Sequence, residues 1–558
     1  MEMNVQEKQS IGDVPAAGFT VYEAFRATCA RWPNRAFLAM SPLAEREYFP
    51  EGYEITYTEA LAEVGQRIVA LQSAGYGLGH RIGVLAENRP QHFILQLAFN
   101  ALGISIVPLN PDLRAPELAF ILAHSDLDLV ISIDARLPGL AELAHACSRQ
   151  PPVVALASLA YPPARTPRRE GALGSATEAG LLYTSGTTGK PKGCILSNEY
   201  YEFLGNYYAR AGGVAELREG LERVFNPLPV FHQNAGIFTL MGVIMSGACF
   251  VMTDRFHLNS WWREVAESRA TVVHYLGVMT ALLLKLPASP DERRHAIRFG
   301  IGAGIEPELH ALAEARFGFP LVELWGSTET GGGFLANAEP RQIHDKAVGR
   351  PGNRAGHDFE VRLVDQNGAD VVAGAPGELL VRRRGSDPRR GMFSGYLKDE
   401  AATAAAWRGG WYHTGDVLRQ DDSGMLYFVD RIKNIIRRSG ENIAAAEIEA
   451  VLLTHQDVVE AAVFAVPDAL RDEEVMACIV PSQARAGDAA FGEELFEWCF
   501  SRLAYYKAPG WLLFVDTLPK TSTQKVQKAN IFGGKEDPRQ RAGVLDFCSR
   551  KKKQRASA

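Results

Sequence analysis

An apolar stretch at residues 179–183 runs without a break into Thr184-Ser185-Gly186-Thr187-Thr188-Gly189-Lys190-Pro191-Lys192-Gly193, and this junction restricts the fold more than any other part of the chain. The apolar stretch reads as a buried strand. The loop after it holds three glycines, four serine or threonine hydroxyls and two lysines. Glycine lets a backbone turn tightly and approach a ligand closely. Hydroxyls, free N–H groups and ammonium groups suit phosphate oxygens, so a nucleoside triphosphate is the natural guest. A plain Ser/Thr/Gly linker has no use for two lysines flanking a proline. The loop is not a Walker P-loop, because Pro191 follows Gly189-Lys190 and Thr184 replaces the first glycine of that pattern. No G-x-G-x-x-G opens a helix after an early strand, which weakens a dinucleotide reading.

The rest of the chain alternates in the same manner. Residues 81–86, 104–109 and 127–132 read as strands, separated by helical spacing at 90–102 and 117–122, and 19–31 is helical too. Beyond the loop, 225–228, 248–252 and 271–275 read as further strands. Such alternation predicts parallel α/β layers. Residues 151–175, rich in proline, arginine and alanine, read as a surface connection, and the short strands of 360–383 suggest a β-rich subdomain. After Lys433 a small α+β unit is expected, with helices at 444–455 and 492–504 and strands at 459–466 and 475–480.

Six motifs in order resemble the adenylate-forming (AMP-binding) superfamily, which includes acyl-CoA synthetases. They are the hydroxyl-rich loop; Leu324-Trp325-Gly326-Ser327-Thr328-Glu329-Thr330; Gly377-Glu378-Leu379 with Gly395-Tyr396; Trp411-Tyr412-His413-Thr414-Gly415-Asp416; Asp430-Arg431-Ile432-Lys433 with Ser439-Gly440-Glu441-Asn442-Ile443; and Leu518-Pro519-Lys520-Thr521 closing on Lys525. The stretches 228–235 and 274–279 look most like bacterial carnitine/crotonobetaine-type acid–CoA ligases. The resemblance implies an α/β fold. A large N-terminal domain of layered α/β sheets with the β-rich subdomain would span 1–432. A small mobile α+β C-terminal lid would span 433–535, hinged at Lys433, and 536–558 would be a basic, disordered tail.

The implied reaction is ATP-dependent formation of an acyl-adenylate, then of a CoA thioester, from a small to medium carboxylic acid. ATP, Mg2+ and coenzyme A are the implied cofactors. Thr184, Ser185, Gly186, Thr187, Thr188, Gly189 and Lys192 would hold the β- and γ-phosphates. Thr328 would meet the α-phosphate and Glu329 would bind Mg2+, whose preference is for hard oxygen ligands. Trp325 would stack on adenine, and Asp416 and Arg431 would reach the ribose. Gly302, Ala303 and Gly326 would line the pocket with Gly277-Val278-Met279, and His232 would stand at the acyl tunnel. Lys525 would be the catalytic lysine, with Lys520 and Lys528 as nearby decoys. Gln524 precedes it where many relatives carry glycine. Ser439, Gly440 and Glu441 would face the CoA channel. A stand-alone enzyme loading a carrier protein, and a non-catalytic nucleotide-binding regulator, are the alternative readings.

Size and charge bound these readings. At 558 residues the chain exceeds one core, and a net charge of −6 disfavours nucleic acid as a partner. Seven scattered cysteines with no C-x-x-C pair fit a reducing cytoplasm, and no apolar run is long enough to span a bilayer. A homodimer is left open. The basic run Arg550-Lys551-Lys552-Lys553-Gln554-Arg555 reads as a solvated end, with contact to an anionic membrane surface as the alternative.

Overall fold

The computed structural model describes residues 18–113, 115–184, 191–335, 341–351, 358–438, 441–468, 471–503, 505–520, 526–532 and 537–551, with Lys433, Arg437, Glu441, Asn442, Asp472 and Ala529 described through their backbone alone. The chain divides into two compact units, residues 1–361 with 381–412, and residues 362–380 with 413–558.

Two sheets build the first unit. One has eight strands in the order Gly332–Leu335, Leu321–Ser327, Phe299–Ala303, Val272–Leu276, Arg223–Asn226, Cys249–Met252, Ala36–Met40, Tyr53–Thr56. Its inner neighbours are parallel and its two outermost pairings antiparallel. The other has seven strands in the order Gly395–Tyr396, Lys192–Ser197, Glu178–Thr184, Ser105–Pro108, Arg81–Leu85, Leu129–Ser132, Val153–Ala155. The parallel strands are nearly continuous runs of buried apolar residues, as strands covered on both faces must be. The helices between them start where the sequence supplies caps. Thr20 accepts from the Glu23 amide to open Val21–Arg31, and Thr56 and Glu59 form a reciprocal capping box for Tyr57–Ser73.

Parallel strands gather their C-terminal ends, and the loops that follow them, on one side of a sheet. Here Phe299–Ala303 ends at Gly302 and Ala303, its neighbour Leu321–Ser327 ends in Trp325 and Gly326, and Glu178–Thr184 ends at Thr184.

In the second unit, residues 416–420 pair antiparallel with 426–431, and Ile435–Arg438, Glu441–Ala444, Val458–Asp468, Asp472–Pro481, Trp511–Phe514 and Leu545–Asp546 form a six-stranded sheet. Helices Ala445–Leu453 and Ala489–Phe500 cover it through a core that includes Ile448, Leu452, Phe491, Leu495 and Phe496. The second helix begins before the expected residue 492 because the Asp488 carboxylate accepts from the Phe491 amide at 2.9 Å and caps it.

The expected disordered tail is corrected for residues 537–551. Leu545 and Asp546 extend the sheet by pairing with Leu512 and Trp511, and Phe547 is buried against Phe496 with ring centroids 5.0 Å apart. Apolar residues at 545 and 547 and acidic partners on the helix hold this segment down. Among the described residues no helix is long and apolar enough to cross a membrane.

Candidate active site

Strand pairing sets the phosphate-loop ends. Thr184 lies opposite Lys192 in an antiparallel register, and Cys194 pairs with Tyr396 on the other side. Ser185, Gly186, Thr187, Thr188 and Gly189 lie outside the described residues. What is described converges on Glu329. The Tyr396 hydroxyl donates to Glu329 Oε1 at 3.0 Å, and the Cys194 thiol stands 3.8 Å from the same oxygen. Thr184 Oγ1 is 3.9 Å from Cys194 Sγ, and the Lys192 ammonium lies 4.8 Å from the centroid of the Tyr396 ring. Burial and the Glu329 charge hold Cys194 protonated, so it packs as a neutral thiol and is no nucleophile. The same two causes raise Tyr396, which therefore stays a hydrogen-bond donor. Sequence reasoning missed Cys194 and placed Tyr396 in a motif without giving it a role, since each works through a cross-strand partner.

Glu329 is half-buried, and its backbone oxygen accepts from the Phe393 amide at 2.9 Å. Thr330 fixes the turn that carries it, accepting from the Ser327 amide at 3.1 Å and donating to the Gly332 carbonyl at 2.6 Å. Thr328 sits half-buried in this turn. Among the described residues no group of three or more His, Cys, Asp or Glu side chains is arranged to hold a metal. A single carboxylate fits Mg2+, which keeps waters and substrate phosphates as its other ligands.

The neighbouring strand ends are rigid. Gly302 lies under Tyr275, where an added Cβ would stand 2.3 Å from the Tyr275 carbonyl oxygen. Gly277 approaches Gly304 so closely that a Cβ would be 1.7 Å from its carbonyl oxygen. Glu323, buried at 4% exposure, ties these pieces together. It accepts from the Gly304 amide at 2.7 Å and the Tyr275 hydroxyl at 2.8 Å. Trp325 is buried and stacked on Phe334 with centroids 5.3 Å apart, and Gly326 is exposed.

His232 is half-buried, with its ring 4.7 Å from that of Phe231. Two residues on, the π-helical turn Asn234–Thr239 begins. A second histidine anchors that turn. His274 is fully buried, with Nδ1 2.9 Å from Asn234 Oδ1 and Nε2 2.9 Å from the Tyr208 hydroxyl. Asn234 Oδ1 also accepts from Asn226, so His274 Nδ1 donates and Nε2 accepts from Tyr208. Burial pushes its pKa down to about 3, which keeps this tautomer neutral. A histidine in the middle of an apolar strand was the sequence signal for this wall.

In the second unit Asp416 and Arg431 face each other across two strands, with Arg431 Nε 3.1 Å from Asp416 Oδ1. Glu378 shapes the approach to Asp416, accepting from the Gly415 amide at 3.3 Å and lying 3.1 Å from His413 Nδ1. Gly415 adopts φ +70°, a conformation that glycine accepts at little cost. Asp430, one residue before Arg431, holds Asn434 at 3.0 Å through one oxygen and the Ala446 amide at 2.9 Å through the other. Lys433 lies between these anchors, and its side chain is outside the described residues, as are Ser439, Gly440, Lys525 and the side chain of Glu441. The two decoy lysines are engaged elsewhere: Lys520 pairs with Glu460 at 2.7 Å and Lys528 with Glu449 at 2.7 Å.

Known proteins resemble the chain over most of its length. The AMP-binding enzyme family matches residues 25–397, and the AMP-binding enzyme C-terminal domain matches residues 447–525. The chain is 30% identical over 541 residues to the sulfoacetate–CoA ligase of Cupriavidus necator, covering 95% of this chain and 99% of that protein. It is 28% identical over 509 residues to the crotonobetaine/carnitine–CoA ligase of Citrobacter koseri, covering 86% and 93%. Its fold is similar to that of the o-succinylbenzoate coenzyme A synthetase MenE from Bacillus subtilis in complex with ATP and magnesium ion, with a TM-score of 0.76 at 25% identity, covering 91% of this chain and 98% of that one. On this extent of agreement, the chain belongs to the AMP-binding enzyme family.

Proposed function

We propose that the chain is an AMP-forming acid–CoA ligase that takes a small to medium carboxylic acid. The observation that carries this reading is the convergence of Thr184, Lys192, Tyr396 and the half-buried Glu329 at the ends of the paired strands. A carboxylate does not acylate a thiol directly, because oxide is a poor leaving group. Transfer of AMP to the acid supplies a better one, but it brings two anions together. Cations placed in advance lower that barrier. Lys192 and the loop hydroxyls would bind the β- and γ-phosphates, Thr328 the α-phosphate, and Glu329 the magnesium ion. Bound there, magnesium would neutralise charge on the phosphates. Trp325 would flank adenine, and Asp416 with Arg431 would take the ribose hydroxyls. Lys525 would bridge carboxylate and phosphate during adenylation.

Gly302, Ala303, Gly277 and His232 would shape the acid pocket, whose walls are set by Glu323 and His274. The named relatives act on crotonobetaine, carnitine and sulfoacetate, which are small acids with a second charged group. This supports a small polar acid as substrate. Lys433 would be the hinge that lets residues 433–535 serve both half-reactions, with Ser439, Gly440 and Glu441 toward CoA in the second. All seven cysteines are free thiols, which supports the cytoplasm as the working compartment. A homodimer is the assembly to test by sedimentation. The direct test incubates enzyme, ATP, Mg2+ and CoA with acids that include crotonobetaine, carnitine and sulfoacetate, and identifies products by mass. Acyl-CoA with AMP is expected; ADP as the nucleotide product, or no thioester with any acid, contradicts the proposal.

A further inference from the structure

The segment beyond the family's C-terminal domain, which ends at residue 525, carries a buried charge cluster of its own. Lys551 is buried with its side chain at 0% exposure, and it pairs with Glu474, also at 0%. The other oxygen of Glu474 accepts from Arg438 Nε at 2.9 Å, and Arg438 is 5% exposed. One carboxylate therefore serves two cations that lie far apart in sequence. Glu474 is further fixed by the Val475 amide, which donates to Oε1 at 2.8 Å. Gly510 closes the site, since a Cβ there would stand 2.7 Å from Glu474 Cγ and 2.9 Å from Cys548 Sγ.

The segment reaches this cluster by docking along an edge of the sheet. The Phe547 amide donates to the Gly510 carbonyl at 2.8 Å, extending the pairing of Leu545 and Asp546. Arg550, next to Lys551, turns the other way. It pairs with Glu497 at 2.5 Å and with Glu493, and covers the Phe496 ring at 4.8 Å. Neighbouring cations thus do different work: Arg550 clamps the segment to the helix Ala489–Phe500, and Lys551 enters the sheet. There it meets Arg438, which ends the strand Ile435–Arg438 and lies opposite Glu441 in the hairpin. That end of the hairpin is the point at which the chain passes into Ser439-Gly440-Glu441.

We propose that residues 545–551 form a strap in which Lys551, through Glu474 and Arg438, sets the hairpin 435–444 for thioester formation. Lys551 is then a positioning residue for the thiol step and has no part in adenylation. The assignment of the hairpin to the thiol step rests on the proposed function; the strap itself rests on the contacts above. Burial pushes Lys551 down to about 8 against the opposing pull of Glu474.

Lys551→Met tests this, because it leaves Arg438 and Glu474 as a neutral pair and keeps the volume of the site. Hydrogen–deuterium exchange on the full chain should show amides of 435–444 exchanging about tenfold faster, with the sheet Phe299–Ala303 to Leu321–Ser327 unchanged. With the acid that gives most pyrophosphate from the wild type, the KM for CoA or the rate of thiolysis should worsen about tenfold. ATP–pyrophosphate exchange should stay within about twofold of wild type. A chain ended after Arg550 is the second variant if Lys551→Met does not fold, and it should behave alike. Unchanged hairpin exchange, or equal loss of both half-reactions, overturns the proposal. If the wild type releases no pyrophosphate with any acid, the proposed function fails while the exchange measurement still decides whether the strap sets the hairpin.

Discussion

Glu329 shares one oxygen with the hydroxyl of Tyr396, and under the proposed function that hydroxyl would orient the carboxylate that binds magnesium. Partners behind a metal ligand typically carry about tenfold or more in metal affinity. Tyr396→Phe should therefore raise the Mg2+ concentration for half-maximal pyrophosphate release about tenfold while far-UV circular dichroism is unchanged. Lys525→Ala should abolish acyl-adenylate formation yet largely spare thiolysis of a preformed adenylate, read by following the two half-reactions separately. His257 gives a pH prediction. Its ring lies 3.4 Å from Asp254 and 3.2 Å from Glu264, and their hydrogen bonds and charges raise its pKa from 6.5 to about 9. The folded state thus binds the proton more tightly than the unfolded state. This stabilisation is fully present below pH 6.5 and is lost as pH rises through about 9. It is expected to amount to roughly 1–3 kcal/mol. Thermal unfolding of wild type against His257→Gln should show the stability difference shrinking across that window; a constant gap contradicts it.

The helix Ala445–Leu453 begins at Ala444, which has no side-chain cap, and Asp430 supplies one from the end of a strand. Asp430→Ala should destabilise the second unit by about 1–2 kcal/mol, the usual cost of a lost cap. Exchange protection in 445–453 measures this, and Asp430→Asn should keep part of it because one amide oxygen can still accept. The sequence pattern could not show this cap, because 16 positions separate Asp430 from Ala446 and no local signature joins them. The same holds for Glu323, whose role depends on strand register. Most strands and helices were legible because their periodicity and caps are local: Val272–Leu276 and Cys249–Met252 lie within a residue of expectation. Lys551 was misread for the opposite reason. A run of basic residues looks the same in sequence whether it faces water or, as here, a buried carboxylate 77 positions away.

At the scale of the whole molecule, the local turn Ser327–Thr330 that carries Glu329 was legible because its residues are neighbours in sequence. Walls assembled from separate strands were not legible, as with Cys194 and Glu323. Each compact unit carries part of the expected machinery, Thr184, Lys192 and Glu329 in the first and Asp416, Arg431 and Asp430 in the second. In the proposed function these parts join AMP to an acid reversibly before any thiol takes part. Isotope exchange between labelled pyrophosphate and ATP, without CoA, reads that step alone. Exchange is expected to depend on both Mg2+ and a small carboxylic acid, and Glu329→Gln and Lys525→Ala are each expected to reduce it at least about a hundredfold. Exchange at background with every acid tried, or exchange that persists undiminished in both variants, would contradict the proposed function.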